Sequence, residues 1–596
     1  MNSQTIISLY ALKKQELSLL ITKQSQLDNS TILKQLKLQS ALMELHDENS
    51  FKIRGYQNAI FNLDKSDIDL STLSLSELEG LQGVGKGIAS TIQEIIQKGI
   101  SEAMQQFLDT TPEGIIELLD IKGIGPKKIK VLWKELGIES GYELKEAANS
   151  GLVANLKGFG EKTQQAIIDA LEFKEANANK LHYADAEVLS EEILATLKSL
   201  KTVEKVEVTG GMRRKLEVAD SIEILVGALD FDAFEEEVNK HDSFNQLLEE
   251  SGPVVWRGLF KDHKIVIELM LCEPKDFVRE QFLKTGSQLH ISIPIANERS
   301  LRDMAYTEKY TSEEELYGSL NLAYVEPELR EGTFEIGLAK SNSLPQLVEM
   351  SDLKGILHNH STYSDGKHSL RQMAEYCKEL GYEYLGICDH SKTAFYANGL
   401  NEDRVHEQHK EIDQLNKELA PFKIFKGIES DILNDGSLDY DVEVLASFDF
   451  IVASVHSVLN MNKQKATQRL LKAIENPYTT ILGHPTGRLL LRRAGYPIDH
   501  QAVIDHCSKH NVVIEINANP WRLDLDWRWV NYAIEKGVML SINPDAHKME
   551  GYHDMQYGLL AGRKGGLTAD MTFNALSLAD IDKHFTEKKA KAPAHA

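Results

Sequence analysis

The residues with the most chemistry in their spacing are His358 and His360, in Gly355-Ile356-Leu357-His358-Asn359-His360, with Asp365-Gly366 following five residues later. A short apolar run leads into the pair, so it reads as the end of a β-strand. Alternation along a strand sends both imidazoles to one face and Asn359 to the other. Two imidazoles on one face, with a carboxylate on the next loop, are the start of a transition-metal site. The same grammar recurs at Ile387-Cys388-Asp389-His390, Lys426-Gly427-Ile428-Glu429, Ala453-Ser454-Val455-His456 and Ile481-Leu482-Gly483-His484. It closes with Val513-Ile514-Glu515-Ile516-Asn517 and Ser541-Ile542-Asn543-Pro544-Asp545-Ala546-His547.

The elements that must position these groups follow from the pattern. Between the apolar runs lie helical stretches at Leu370 to Leu380, Glu402 to Leu419, Thr467 to Glu475 and Ala502 to His510. Strand alternating with helix predicts a parallel β/α architecture, and polar residues at the strands' C-terminal ends predict a barrel with its site there. Seven such units make a distorted barrel one repeat short of eight. Converging on its rim are His358, His360, Asp365, His390, Glu429, His456, His484, Asp545 and His547. Such mixed donors suit a cluster of three divalent ions, and they favour Zn, Mn or Fe over Mg or Ca. Closely spaced ions of this kind support hydrolysis of a phosphoester. Arg488 and Arg522 carry guanidinium forks that match a substrate phosphate, or else they are salt-bridged surface arginines. Lys392 is a further phosphate candidate. Asp389 is expected to orient His390 or to pack the strand end rather than to bind metal.

A chain of 596 residues is too long for one core; roughly four domains of ~150 residues are expected. At 42% hydrophobic and 26% charged it has a globular composition. No apolar run approaches the ~18 residues of a membrane span. Met1 to Leu27 mixes Lys and Glu into its apolar residues, unlike a signal peptide. Cys272, Cys377, Cys388 and Cys507 lie far apart with no Cys-x-x-Cys, which predicts a reduced cytoplasmic protein with no cysteine ligand. The formal net charge of -24 argues against coating nucleic acid through bulk electrostatics, but not against local contact through backbone amides.

Such contacts are foreshadowed in the first 180 residues. Leu81-Gln82-Gly83-Val84-Gly85, Ile121-Lys122-Gly123-Ile124-Gly125 and Leu156-Lys157-Gly158-Phe159-Gly160 repeat one pattern, and each precedes a lysine-bearing helical segment. A Gly-x-Gly turn between helices presents N–H groups at a helix N-terminus, a seat for a DNA phosphate. Three copies predict helix-hairpin-helix modules that grip DNA without reading its sequence.

The stretch Thr209-Gly210-Gly211-Met212-Arg213-Arg214, continuing through Asp220-Ser221-Ile222-Glu223, resembles the palm motif of family X DNA polymerases. Thr285-Gly286-Ser287, with His290 behind it, resembles that family's second landmark. The chain from about residue 28 resembles a bacterial family X polymerase with a C-terminal PHP (polymerase and histidinol phosphatase) domain, and the nine rim residues match the metal ligands of the PHP family. Laid over this sequence, the family's Gly-Ser falls on Gly210-Gly211, its Asp-x-Asp on Ser221-Ile222-Glu223, and its third Asp on Glu268. Ser221 brings no charge, and Glu223 and Glu268 are one methylene longer, so the two-metal palm site is expected to be impaired. Asp220 should point to the opposite face of the strand. The position of the family's lyase lysine is Thr91 here.

The expected class is multidomain, α+β and α/β. It comprises an N-terminal extension (1–27), a helical DNA-binding domain with helix-hairpin-helix (28–108), and further hairpin repeats (109–180). A nucleotidyltransferase-like palm (181–335), with 311–330 read as a linker, precedes a distorted (β/α)7 barrel of PHP type (336–575) and a tail (576–596). The resemblance implies DNA as partner, at gapped, nicked or 3′ ends, and a metal-dependent 3′→5′ exonuclease in DNA repair. The alternatives are an active gap-filling polymerase with attached exonuclease, and a DNA-binding scaffold whose PHP site hydrolyses a small phosphomonoester.

Overall fold

The computed structural model describes residues 28–64, 68–121, 123–296 and 299–592, so the extension expected at 1–27 lies outside it. The chain forms two compact units, Met1–Ala178 and Asn179–Ala596. Among the described residues no helix is long and apolar enough to cross a membrane.

Among the described residues of the first unit the regular elements are all helices. Asp28 caps Asn29–Leu45 through the Thr31 amide, and a Ser74–Glu77 capping box starts Leu75–Glu79. Apolar residues at helical spacing build two cores, one around Ile32, Leu36, Tyr56 and Ile92, the other around Leu42, Ile129, Leu132 and Ile167. Gly83, Gly123 and Gly158 take φ values of +79°, +90° and +87°, which β-carbon-bearing residues adopt at a cost. Two residues on, Gly85, Gly125 and Gly160 are the N-caps of Lys86–Lys98, Pro126–Leu136 and Glu161–Ala176. Thr91 is buried and bonded to Gly87 O and the Tyr56 hydroxyl.

Three larger sheets of the second unit position its candidate sites. Strands β1 (Lys205–Val208), β2 (Ser221–Gly227), β3 (Phe244–Gln246), β4 (Val255–Phe260) and β5 (Val266–Cys272) form a mixed sheet in the order β1-β2-β5-β4-β3. β2 and β5 run parallel, with Ser221 opposite Val266 and Glu223 opposite Glu268. Segment 311–330, expected as a linker, instead packs onto this sheet's helices. Glu313 starts the helix Glu313–Ser319 and takes paired hydrogen bonds from both Arg213 and the fully buried Arg330.

Further on, β6 (Gly355–Ile356), β7 (Tyr384–Ile387) and β8 (Lys423–Lys426) form one parallel sheet. β9 (Glu429–Asp431), β10 (Val452–Ser454), β11 (Ile481–Leu482), β12 (Val513–Asn517) and β13 (Leu540–Asn543) form another, also parallel. Parallel bridges His390–Glu429 and Asn359–Ala546 join the two, so the last strand end returns to the first. Helices Leu370–Glu379, Glu402–Leu419, Lys463–Ile474 and His500–His510 connect the strands, close to their expected spans. The segment after 575, expected as a tail, is a helix over Leu578–Ala590. Its Phe585 stacks on Phe450 at 4.9 Å and meets Phe425 edge-on at 5.0 Å, while Ile581 joins the same core. The chain reaches back because Tyr384, Phe425 and Phe450 need an apolar cover.

Candidate metal centre

The strand ends bring the expected groups together around one carboxylate. Glu429, buried at the start of β9, has its Oε1 3.0 Å from His484 Nε2, 3.1 Å from His456 Nε2 and 3.3 Å from His358 Nε2. Its Oε2 lies 3.0 Å from His390 Nδ1 and 3.7 Å from His360 Nε2. Asp545 Oδ1 lies 3.0 Å from His360 Nε2 and 3.6 Å from His358 Nε2. Asp365 Oδ1 lies 3.4 Å from His547 Nε2 and 3.7 Å from His390 Nε2. All nine predicted side chains therefore face a common space. Asp545, at φ +53°, holds a left-handed backbone that a β-carbon-bearing residue adopts only under constraint, as is frequent at functional sites.

Donor atoms in this space can hold metal. His360, Asp365, His390 and His547 offer one group of ligand atoms within 4.8 Å of one another; His358, His360 and Asp545 offer a second; His390, Glu429 and His456 a third. His358 Nε2, His360 Nδ1, His390 Nδ1, His484 Nδ1 and Glu429 Oε2 are buried without a hydrogen-bond partner. Buried polar atoms left unsatisfied are costly, and His358 Nε2, His390 Nδ1 and Glu429 Oε2, which face the common space, fit ligands whose partner is an ion. Imidazole nitrogens and carboxylate oxygens are both metal donors, so the residues fit a metal ion.

Burial disfavours charge on every group here, and the cluster answers it by pairing. The imidazoles of His456, His358 and His390 outweigh burial at Glu429 and hold its carboxyl well below the usual range. Around His358 the carboxylates of Glu515, Glu429 and Asp545 likewise overcome burial and raise its imidazole well above its ordinary value.

Two residues outside the predicted set orient ligands. Glu515, fully buried on β12, places Oε2 2.6 Å from His358 Nδ1, and Asp431 places Oδ1 2.6 Å from His456 Nδ1. Each fixes one ring nitrogen and leaves Nε2 aimed at the centre, the carboxylate–histidine pairing that raises ligand basicity. An acid inside an all-apolar strand, as in Val513-Ile514-Glu515-Ile516, is a signal that could have found Glu515, because an unpaired charge is almost never buried. Asp389 does not contact His390 through its side chain. It takes hydrogen bonds from the Ser361 and Ser364 amides and hydroxyls and from Gln408, and so packs the strand end and holds the loop after His360.

The phosphate candidates separate. Arg522 Nε lies 3.6 Å from Asp545 Oδ2, at the edge of the centre. Arg488 instead bonds the Arg522 and Leu523 carbonyls and pairs with Asp526 Oδ2 at 2.5 Å. Lys392 is tied to Glu402 Oε1 at 2.9 Å, which takes its charge away from the rim.

In the mixed sheet Glu223 turns back on its own glycine turn, its Oε2 accepting the Gly211 N–H at 2.8 Å. Gly210, at φ +57°, has no room for a side chain: a Cβ there would stand 1.6 Å from Glu223 Oε2. Burial pushes the Glu223 carboxyl up, against the pull of that amide. Glu268 pairs with Arg257 at 2.9 Å, Ser221 adds no charge, and exposed Asp220 pairs with Lys180 at 3.0 Å. Arg213 is committed to Glu313 and Thr285. His290 is buried between Glu335 and the Tyr317 hydroxyl.

Three family models match the chain: a helix-hairpin-helix domain over residues 27–101, a SAM-like helix-hairpin-helix tandem over 115–173, and a PHP domain over 357–519. Over 562 residues the chain is 36% identical to the DNA polymerase/3′-5′ exonuclease PolX of Bacillus subtilis (strain 168), covering 92% of this chain and 98% of that protein. A probable phosphatase of Thermoanaerobacter sp. (strain X514) is 28% identical over 187 residues, 30% of this chain and 74% of that protein. A probable phosphatase of Clostridium acetobutylicum is 29% identical over 207 residues, 32% of this chain and 78% of that protein.

Proposed function

This chain belongs to the bacterial family X DNA polymerases that carry a C-terminal PHP domain, and from that premise we propose that it acts on DNA chiefly through that domain, as a metal-dependent 3′→5′ exonuclease. The observation that carries this reading is the Glu429 carboxylate ringed by five imidazoles, with His358 Nε2, His390 Nδ1 and Glu429 Oε2 buried and outside any well-formed hydrogen bond. We read the ring of strands as a distorted (β/α)7 barrel and the nine side chains as ligands of three ions, Zn, Mn or Fe. Such ions, when bound, lower the pKa of a water and neutralise charge on a phosphoester's leaving oxygen.

The chain's own groups do the rest. Glu515 and Asp431 keep His358 and His456 in one orientation. Arg522 is placed to hold a non-bridging phosphate oxygen. In the reaction, water adds to phosphorus and the bond to the 3′ oxygen of the penultimate nucleotide breaks. That oxygen takes a proton, and a nucleoside 5′-monophosphate leaves. The turns at Gly83 and Gly85, Gly123 and Gly125, and Gly158 and Gly160 supply amides for the backbone of gapped or nicked DNA.

Templated synthesis is proposed to be impaired. Glu223 and Glu268 lie opposite each other, but one is folded onto the Gly211 amide and the other onto Arg257. Two-metal phosphoryl transfer needs carboxylates free to bridge ions. The Bacillus relative, a DNA polymerase/3′-5′ exonuclease, favours a working polymerase as the alternative, and the probable phosphatases similar to the PHP part favour a small phosphomonoester as another. Metal analysis tests the main reading. Protein loaded with Mn²⁺ or Zn²⁺ and desalted should hold about three ions, and combining His358→Ala with Glu429→Gln should empty the two groups that contain those residues; a metal content equal to wild type in that variant would refute the assigned ligands.

A further inference from the structure

The loop from His390 to Leu400 is held at both flanks and bare at its tip. On one flank Thr393 gives its N–H to Asp439 at 2.7 Å and its hydroxyl to Asp431 at 2.9 Å. On the other, the Leu400 N–H returns to His390 O at 2.8 Å. Asn398, at φ +56°, donates its amide to Tyr363 O and Ser364 O, both at 3.3 Å, and Arg404 grips Asn398 O at 2.8 Å. Gly399 is obligatory, since a Cβ there would meet Ser391 O at 1.9 Å. Between these anchors a single turn, Phe395–Ala397, leaves Phe395 86% and Tyr396 62% exposed, while Ala394 and Ala397 are buried.

Two adjacent aromatic side chains in water on a pinned turn are unfavourable surface, and such surface marks a contact site. Its position narrows the contact. The Tyr396 ring centroid is 6.3 Å from that of His390, one of the nine groups of the metal centre. Whatever rests on this pair therefore also reaches the phosphoester chemistry next to it.

We propose that Phe395 and Tyr396 form a stacking platform that takes the terminal bases of an unpaired DNA 3′ end and sets its last phosphodiester over the Glu429 centre. The proposal rests on the exonuclease reading and adds which residues of this chain hold the bases of an unpaired end. Bases in a duplex are already stacked on their neighbours, whereas an unpaired base offers a free π-face, and every base has one. Stacking is thus tolerant of sequence. It also suits a chain of net charge -24, which lacks the bulk cationic field that would otherwise draw in an end.

The test uses the full chain and the Phe395→Ala/Tyr396→Ala double variant. Two single-stranded oligonucleotides are compared, one ending in normal nucleotides and one ending in two abasic residues. On the normal end, kcat/KM should fall roughly 5- to 100-fold in the variant. The abasic end, already poor for the wild type, should fall no further. With metal chelated, a terminal 2-aminopurine should be quenched on binding wild type and remain bright with the variant. Tyr396→Phe and Phe395→Trp should retain both signals. An undiminished rate with unchanged quenching would overturn the platform and leave the exonuclease reading standing, as would equal losses on both ends, which would mean that the pair acts only through the loop's fold. Wild type that shortens neither oligonucleotide would overturn the exonuclease reading itself. A wild-type dimer made monomeric by the variant, with cleavage unchanged, would assign the aromatics to a second copy of this chain instead.

Discussion

Glu515 Oε2 stands 2.6 Å from His358 Nδ1, and both side chains are fully buried. The pair joins two strand ends far apart in sequence and decides which nitrogen of His358 faces Glu429. Glu515→Ala should therefore lower metal affinity by roughly 10- to 100-fold without removing a direct ligand. Competition against a fluorescent chelator measures this, and wild-type affinity in the variant would show that His358 orients itself.

Arg488 and Arg522 look alike in the sequence and should behave differently. Arg522→Ala should cut kcat/KM on DNA by about 10-fold or more, as expected when a charge-assisted phosphate contact is lost. Arg488→Ala removes a part-buried partner of Asp526 and should act mainly on stability, lowering the thermal midpoint. The reverse assignment of effects would place the phosphate at Arg488.

Glu313 should leave a pH signature. Burial opposes its charge, but Arg213 and Arg330 overcome it and bring the carboxyl from 4.5 down to about 2. A folded value below the unfolded one contributes stability that is complete above about pH 4.5 and is lost as pH falls toward 2, on the order of 3 kcal/mol in all. The urea midpoints of wild type and Glu313→Gln should differ most near neutrality and converge on acidification. A gap that stays constant between pH 6 and pH 3 would deny the linkage.

In the mixed sheet, Gly210→Ala should destabilise the fold by roughly 1–3 kcal/mol, because it adds a left-handed strain and drives a methyl into Glu223. Glu223→Ala should leave primer shortening unchanged. Template-directed lengthening by the wild type that disappears in Glu223→Ala would instead reveal a working polymerase site.

Much of this was legible in the residues alone. His358, Glu429, His484 and the rest stand at strand ends, where local spacing fixes both face and position, and the three Gly-x-Gly turns encode their own left-handed conformation. What escaped was tertiary. The partner of Arg488 is Asp526, 38 positions away, and no periodicity announces it. Arg330 sits in a stretch without helical or strand period, so its burial against Glu313 could not be read. The helix Leu578–Ala590 has an ordinary polar composition, and only the aromatic residues beneath the parallel strands explain why it docks.

The most direct test follows a 5′-labelled primer on gapped DNA with Mn²⁺, using wild type and His358→Ala side by side. Stepwise shortening from the 3′ end by the wild type, falling to background in the variant, is the predicted result. No shortening by the wild type, or shortening that survives His358→Ala, would contradict a 3′→5′ exonuclease built on this centre.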